Sequence, residues 1–419
     1  MKIMTTKTFV ILINLLVSAF FMLQVCIKGG YNYSPVLLMV FGLGYLLYFR
    51  LIKKASWRLS SDERWLAFSY VVYFAVFVLS FWLHEGRLKE LDNPSRIIFM
   101  LPLLLLFSRF PLSPKGLWYA MPAAGIVAGI CALFDVFYRQ QPMAFAGRIM
   151  HIQGGDISMS IGMFSLAIGI YFFIRKRPML MIFALVGALC GVMGSILSTA
   201  RGGWIGLPVI IGFILWAYRQ SLSKTFFISI FTLMALALTT MALIPQTRVT
   251  DRLEQARHEI QVYMERQDGS TSVGARFDMW KSALLMAREK PLLGWGEEGV
   301  SFERKAQHER GLIGKYAAQF NHAHNQYLDD LSKRGILGLL TLMAIFLIPL
   351  RFFLRYVGAS SAELKTLGVM GSVHVLSVMF YCISQGFFTH NSGNIFYFFP
   401  LLIFYTLILN LSAANQRTD

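Results

Sequence analysis

The sequence predicts an all-α polytopic membrane protein of about 12 transmembrane helices, interrupted by one large hydrophilic loop. Three observations lead there. Hydrophobic residues make up 56% of the 419 residues, charged residues only 15%, and Phe alone occurs 36 times. So few charges cannot cover that much apolar surface in water, whereas lipid solvates it. The apolar residues fall in runs of about 20, the length that crosses a hydrocarbon core about 30 Å thick. A helical bundle satisfies every backbone polar group inside lipid.

In chain order the spans are expected near 8–27, 35–52, 65–84, 97–113, 118–138, 157–174, 179–199, 203–219, 225–245, 336–354, 366–386 and 392–411. The fourth is the weakest, because Arg109 and two prolines interrupt it. The first run is long, and Ser18-Ala19-Phe20 makes a poor small-residue cleavage site, so a retained helix is expected there. The chain divides into residues 1–245 with nine helices, 246–335 as the loop, and 336–419 with three helices and a short tail. All four cysteines (Cys26, Cys131, Cys190, Cys382) fall in or at the ends of spans, so packing residues are expected rather than a disulfide framework.

The net charge of +17 invites a nucleic-acid reading, which its distribution opposes. With Lys2 and Lys7 inside, the loops on that side carry Arg50, Lys53, Lys54, Arg58 and Arg64, then Arg109 and Lys115, then Arg175, Lys176 and Arg177. They continue with Arg219 and Lys224, then Arg351, Arg355 and Lys365, and end at Arg417. The opposite short loops carry fewer: Lys28, then Arg87, Lys89 and Arg96, then Arg139 and Arg148, then Arg201. This bias puts both termini in the cytoplasm, and it favours anionic membrane lipid as a partner. Nucleic acid would need basic residues interleaved with aromatics on a soluble face, and the sequence has none.

The same topology places 246–335 outside the cytoplasm, and that loop is nearly charge-neutral. Residues 251–266 put Leu253, Ala256, Ile260 and Tyr263 on one helical face, with Thr250 as the expected N-cap. Residues 275–289 repeat the pattern with Phe277, Trp280, Leu284 and Ala287, until Pro291 stops the helix and Gly294-Trp295-Gly296 forces a turn. Such helices lie on the bilayer or cap the bundle.

The loop ends in His322-Ala323-His324-Asn325. Histidine titrates near neutrality and takes a proton from a hydroxyl. Arg201 lies in a break so short that it must sit at the membrane boundary, where a charge is costly and usually partnered. Arg148 and His151 occupy another outer loop, before Gly154-Gly155-Asp156, and Arg276 opens the second amphipathic helix. Arginine holds phosphate oxygens in a fork and stays charged. Together these groups suit a lipid-linked phosphate or pyrophosphate leaving group and an attacking alcohol. Each also has a bland reading: Arg201 snorkels, Arg148 is a loop charge, Arg276 pairs with Asp278 or Glu254, and His322 and His324 are solvated. His374 reads as a satisfied interior residue, His84 as an interfacial anchor, and His390 with Asn391 as weaker participants.

The segments Thr199-Ala200-Arg201-Gly202-Gly203-Trp204, Gly274-Ala275-Arg276 with Trp280, Pro291-Leu292-Leu293-Gly294-Trp295-Gly296, and His324-Asn325-Gln326-Tyr327-Leu328 leading to Gly335-Ile336-Leu337-Gly338 resemble the O-antigen ligase and polymerase superfamily of bacterial inner-membrane proteins. Each motif is weak singly, and their order, spacing and shared outer placement make the combination specific. The resemblance covers about Arg148 to Gly338. It implies a GT-C-like glycosyltransferase fold with a large periplasmic loop. It also implies a donor of O-antigen linked to undecaprenyl diphosphate, an acceptor sugar of lipid A–core in lipopolysaccharide biosynthesis, and no cofactor, metal or nucleotide sugar. Carried over, Arg201 and Arg276 stabilise the diphosphate, and Arg148 is a further phosphate contact. His324 is the base or orienting group, and His322, His151 and Asn325 are supporting contacts.

Stabilising two developing phosphate charges then supplies most of the acceleration, and one histidine base adds about 10²–10⁴-fold. Direct attack inverts the anomeric centre. A metal-dependent alternative has only Glu90 with Asp92 and Asp329 with Asp330 to offer, the latter pair expected on a helix at the membrane surface. Polymerases and protein oligosaccharyltransferases share the donor, so the arginines do not separate them from a ligase. A transporter would show deep ionisable residues and an internal repeat; only Asp135 and His374 look deep, and no repeat is seen.

Overall fold

Every regular element of the structure, a computed structural model describing residues 6–200, 202–243, 249–266 and 268–415, is helical. Ten helices among the described residues are long and apolar enough to cross a membrane: Thr6–Leu23, Gly30–Ile52, Ser61–Leu83, Leu88–Arg109, Pro114–Tyr138, His151–Ile174, Pro178–Leu197, Gln326–Val357, Ala362–Ser384 and Asn391–Asn415. The chain is a multi-pass membrane protein. Lys2, Arg417 and, more importantly, Arg201 lie outside the described residues.

Three expected spans take forms of their own. The run 203–219 breaks into Gly202–Ile205 and Leu207–Tyr218. Twelve residues rise only about 18 Å, well short of the bilayer core. The Phe380 ring fills the space that a side chain at Gly206 would take, which marks the break. The run 225–245 coincides with the helix Lys224–Leu243, several of whose side chains lie outside the described set. The weak fourth run, expected at 97–113, falls in Leu88–Arg109, three short helices end to end that turn at Leu101 because Pro102 has no N–H to continue the ladder.

The centre of the bundle is His151–Ile174, 89% of whose most apolar window is buried. Its neighbour Pro178–Leu197 comes close because Gly162 faces Gly191, and Ser158 Oγ donates to Gly191 O at 2.8 Å. Pro114–Tyr138 packs on that same neighbour through Gly125 against Gly187 and Gly129 against Cys190. Lipid gives no hydrophobic drive between helices, so close backbone approach supplies the attraction instead. Ala362–Ser384 and Asn391–Asn415 also pack on the central helix. Between them lies His374, fully buried as its position suggested, with Nε2 2.8 Å from Tyr397 O and with Nδ1 without a hydrogen-bond partner among the described residues.

Among its described residues the hydrophilic region forms three α-helices, Val249–Arg266, Ser272–Glu289 and Gly296–Glu309, and a 3₁₀ turn at Ala317–Gln319. Thr250 stands in the first turn of its helix rather than at the N-cap, and the Leu253 side chain lies outside the described residues. Of the expected apolar faces, Tyr263 is buried as expected, and other positions are turned outward. Ser272–Glu289 buries Ala275, Met279, Ala283 and Met286, while Leu284 is exposed and Phe277 and Trp280 are half-buried. Small residues on that face let Ile313, Ala317 and Ala318 close over it. Asp278 on the same face accepts bonds from Tyr263 Oη (2.8 Å) and Gly314 N (2.7 Å). In the preceding helix Glu259 is buried, accepting from Val273 N at 2.9 Å, and Ile260 is exposed.

The 291–296 turn docks on a break in the helix Gln326–Val357. Gly335 there adopts φ 63°, ψ −159°, and Gly294 adopts φ 67°. Trp295 N donates to Ser332 O (3.0 Å), and Ile336 N to Pro291 O (2.8 Å). A side chain on either glycine would meet the backbone of the other segment, so conformation and close approach both demand glycine. His84, expected as an interfacial anchor, stands at the end of Ser61–Leu83 and makes two contacts within the protein. Its ring nitrogens lie 3.0 Å from Ser80 O and 3.2 Å from Gly294 O, tying Ser61–Leu83 to this turn.

Candidate active site

The histidine turn is built from the helix that follows it. Asn325 is extended, and its Oδ1 accepts from Leu328 N at 3.2 Å, so its side chain caps Gln326–Val357. One turn on, Asp329 reaches back to accept from Ala323 N at 2.9 Å. Lys333 pairs with both Asp329 and Glu297 at 2.9 Å. From the other side, the fully buried Arg304 donates to Phe320 O (2.6 Å) and His322 O (3.1 Å). This grip holds His324 at φ 48°, a left-handed conformation that costs a non-glycine residue free energy.

The two imidazoles meet edge to face with centroids 4.1 Å apart, and Phe320 packs against both. His324 N donates to His322 Nδ1 at 3.4 Å, which leaves the proton of a neutral His322 on Nε2. Burial lowers the pKa of each ring. For His324 the neighbouring His322 and the Arg276 charge push further, down to about 3, against an opposing pull from Asp329. Both rings are therefore neutral near pH 7. Arg276 stands in the first turn of Ser272–Glu289, close enough for its charge to act on His324.

His322 opens onto a cavity of about 790 Å³, and His324 does not line it. The walls come from Ser61–Leu83, the 87–94 segment, Gly296–Glu309, the start of Gln326–Val357 and the 388–394 segment, which brings His390. Burial holds the pKa of His390 down as well. Cations (Arg87, Lys89, Lys305, Lys333, Arg334) and anions (Glu90, Glu297, Glu298, Asp329) alternate around it, with Phe77, Phe302 and Phe388 between them. Such a wall offers both donors and acceptors beside apolar faces, which suits a polyhydroxylated ligand with CH faces.

Asp329 and Asp330, expected on a helix at the membrane surface, lie in the first turn and a half of Gln326–Val357 and face into the protein. Both are buried, Asp329 against Lys333 and Asp330 against Arg334, whose Nε is 2.8 Å away. Asp92 pairs with Arg96 at 3.2 Å, and Glu90 accepts from Arg87 N at 2.9 Å. Among the described residues no three His, Cys, Asp or Glu side chains converge as a metal site.

The segment around Arg201 is tied to the histidine turn by a buried polar chain. Thr199 has φ 59°, and beyond position 201 the Gly203 N–H donates to Asp156. Gln385 Nε2 donates to the same carboxylate, and Gln153 Nε2 donates to Gln385 Oε1 and Phe387 O, both at 3.3 Å. Phe388 N then donates to Gln326 Oε1 at 2.9 Å. His151 begins the helix that carries Gln153 and Asp156, is half-buried, and does not line the cavity.

Arg148 belongs to a different corner. It forms an ion pair with the buried Asp135, and its Nη1 donates to Cys26 O at 3.2 Å. Its charge is neutralised there, and it does not line the cavity. Sequence reasoning missed Arg304, Lys333, Asp156, Gln153, Gln326 and Gln385. Only the i,i+4 spacing of Asp329 with Lys333 and of Asp330 with Arg334 was visible as a signal.

Two comparisons with known proteins bear on this arrangement. A family model described as O-antigen ligase matches residues 186–343, the stretch that holds the 199–204, 274–280, 291–296 and 322–338 segments. An uncharacterized protein of Haemophilus influenzae is 40% identical over 392 residues, spanning 94% of this chain and 97% of that protein.

Proposed function

The chain belongs to the O-antigen ligase superfamily, and on that premise we propose that it is the ligase itself, transferring O-antigen from undecaprenyl diphosphate to a sugar hydroxyl of lipid A–core at the periplasmic face of the inner membrane. The observation that carries this reading is the edge-to-face pair of His322 and His324, within range of the Arg276 charge and beside a cavity of mixed polar and aromatic walls in the matched segment. The alternation of loop charges supports the periplasmic side.

In this reading Arg201 and Arg276 hold the diphosphate, and the cavity under His322 takes the body of the acceptor sugar, with its attacking hydroxyl outside the cavity against His324. His324 removes the proton of the attacking hydroxyl, while His322 presents Nε2–H as a donor. A ring held down to about pKa 3 is a weak base in the empty site. Bound diphosphate adds negative charge close to His324, which raises the basicity of the ring. The base is thus strengthened by the donor that it serves. Direct displacement inverts the anomeric centre and asks for no metal, so transfer should persist in chelator.

Deleting the gene and analysing the lipopolysaccharide tests the reading. A ligase predicts core without polymer while lipid-linked polymer still accumulates. Core bearing a single repeat unit would instead identify a polymerase, and unchanged lipopolysaccharide would reject both.

A further inference from the structure

Outside the histidine site, one pair of reactive side chains is brought together from distant parts of the chain. Cys26 lies in the loop between Thr6–Leu23 and Gly30–Ile52, and Cys131 lies near the end of Pro114–Tyr138. Their thiols are in hydrogen-bond contact, and both residues are half-buried. Sequence reading took both for packing residues, as Cys190 and the fully buried Cys382 are.

Arg148 fixes this corner. Its guanidinium reaches the Cys26 carbonyl at 3.2 Å, pairs with Asp135 one turn beyond Cys131, and contacts the Cys131 thiol. Asp135 also accepts from Phe145 N at 2.9 Å and lies 3.6 Å from Arg139. Two loops and one helix are thereby pinned around the two sulfurs, with a fixed cation beside them. A neighbouring guanidinium favours thiolate, the form that attacks sulfur.

We propose that Cys26 and Cys131 form a disulfide, made by thiol–disulfide exchange, that staples the 24–29 loop to the end of Pro114–Tyr138. The proposal rests on the topology given above, which puts this corner on the oxidising side of the membrane. One thiolate attacks the disulfide of an oxidised dithiol–disulfide oxidoreductase, giving a mixed disulfide and releasing one of that protein's thiols. The second thiolate then attacks the cysteine sulfur of the mixed disulfide, forms the Cys26–Cys131 bond and releases the other thiol. Two electrons and two protons leave with the oxidoreductase as its dithiol. Bond formation brings the two sulfurs to about 2.05 Å.

The test uses the full chain in its own membranes. Cells grown with oxygen are lysed into N-ethylmaleimide, and unreduced peptides are mapped by mass spectrometry. A Cys26–Cys131 linked peptide is expected, with both cysteines becoming available to maleimide only after reduction. In parallel, a membrane-impermeant maleimide applied to reduced cells with a permeabilised outer membrane should label Cys26. Free thiols in unreduced membranes, with Cys26 reached from outside, would overturn the disulfide alone. Cys26 reached only from the cytoplasmic side would overturn the topology and the disulfide together.

Discussion

Arg148 and Arg276 are both arginines beside apolar helices, and sequence alone gives them the same task. Their surroundings separate them. Arg148 is closed in by Asp135, the Cys26 carbonyl and two thiols, so its charge is spent within the protein. Arg276 acts on a neutral imidazole, in a region where His322 opens onto a cavity. Mutation at the two places separates an arginine that serves the fold from one that serves a ligand.

The sharpest way to break that comparison is mutation at both places. His324→Ala and Arg276→Ala should each lower glycan transfer per folded molecule by about 10²-fold or more, the usual worth of a general base or a group that stabilises developing charge. Arg148→Ala should lower the amount of folded protein and leave transfer per folded molecule within a few-fold of wild type. Equal losses of specific activity at all three positions, measured in vesicles against detergent-extracted protein, would erase the distinction.

A second contrast concerns stability. Asp135→Ala strands the buried Arg148 charge and should destabilise the protein by about 3–5 kcal/mol, the range for half of a buried pair. Replacing both partners together with apolar residues should recover much of that loss, and thermal unfolding in detergent reads both. If the single and double variants unfold alike, Arg148 is not held by Asp135. At the docked turn, Gly294→Ala or Gly335→Ala imposes a strained conformation worth about 1–3 kcal/mol, with a backbone collision added. Transfer should fall with it, because the same turn holds the helix that carries Asp329 and Lys333.

The mildest effect is that of pH. His322 and His324 titrate near 6.5 in the unfolded chain and below it when folded, so the unfolded state binds more protons between those values. Stability should therefore be full above about pH 6.5 and decline as the pH falls towards 3. The double variant His322→Gln with His324→Gln should show a shallower acid decline in thermal unfolding. An unchanged slope would mean that the histidines are not buried in neutral form.

Much of this was legible in the sequence, and the failures have physical causes. Runs of apolar residues marked the helices because lipid imposes their length, and the Gly294 and Gly335 segments stood out because few other residues tolerate such backbones. That these two segments pack on each other was not visible, since nothing local encodes a contact across 40 residues. Tyr263 was rightly placed inside, while Ile260 and Leu284 were not, because Glu259, Asp278 and small residues also choose the buried faces of 251–266 and 275–289. Buried glutamines such as Gln326 and Gln385 carry no periodic signal, because their meaning lies in partners on other helices.

The central claim is that neutral histidine chemistry beside Arg276 transfers a lipid-linked glycan, and its most direct test is reconstitution. Purified protein in vesicles receives undecaprenyl-diphosphate-linked O-antigen and lipid A–core, and polymer attached to core is measured for wild type and His324→Ala. The account predicts transfer by the wild type and a loss of about 10²-fold or more in the variant. Equal transfer by both proteins would contradict it.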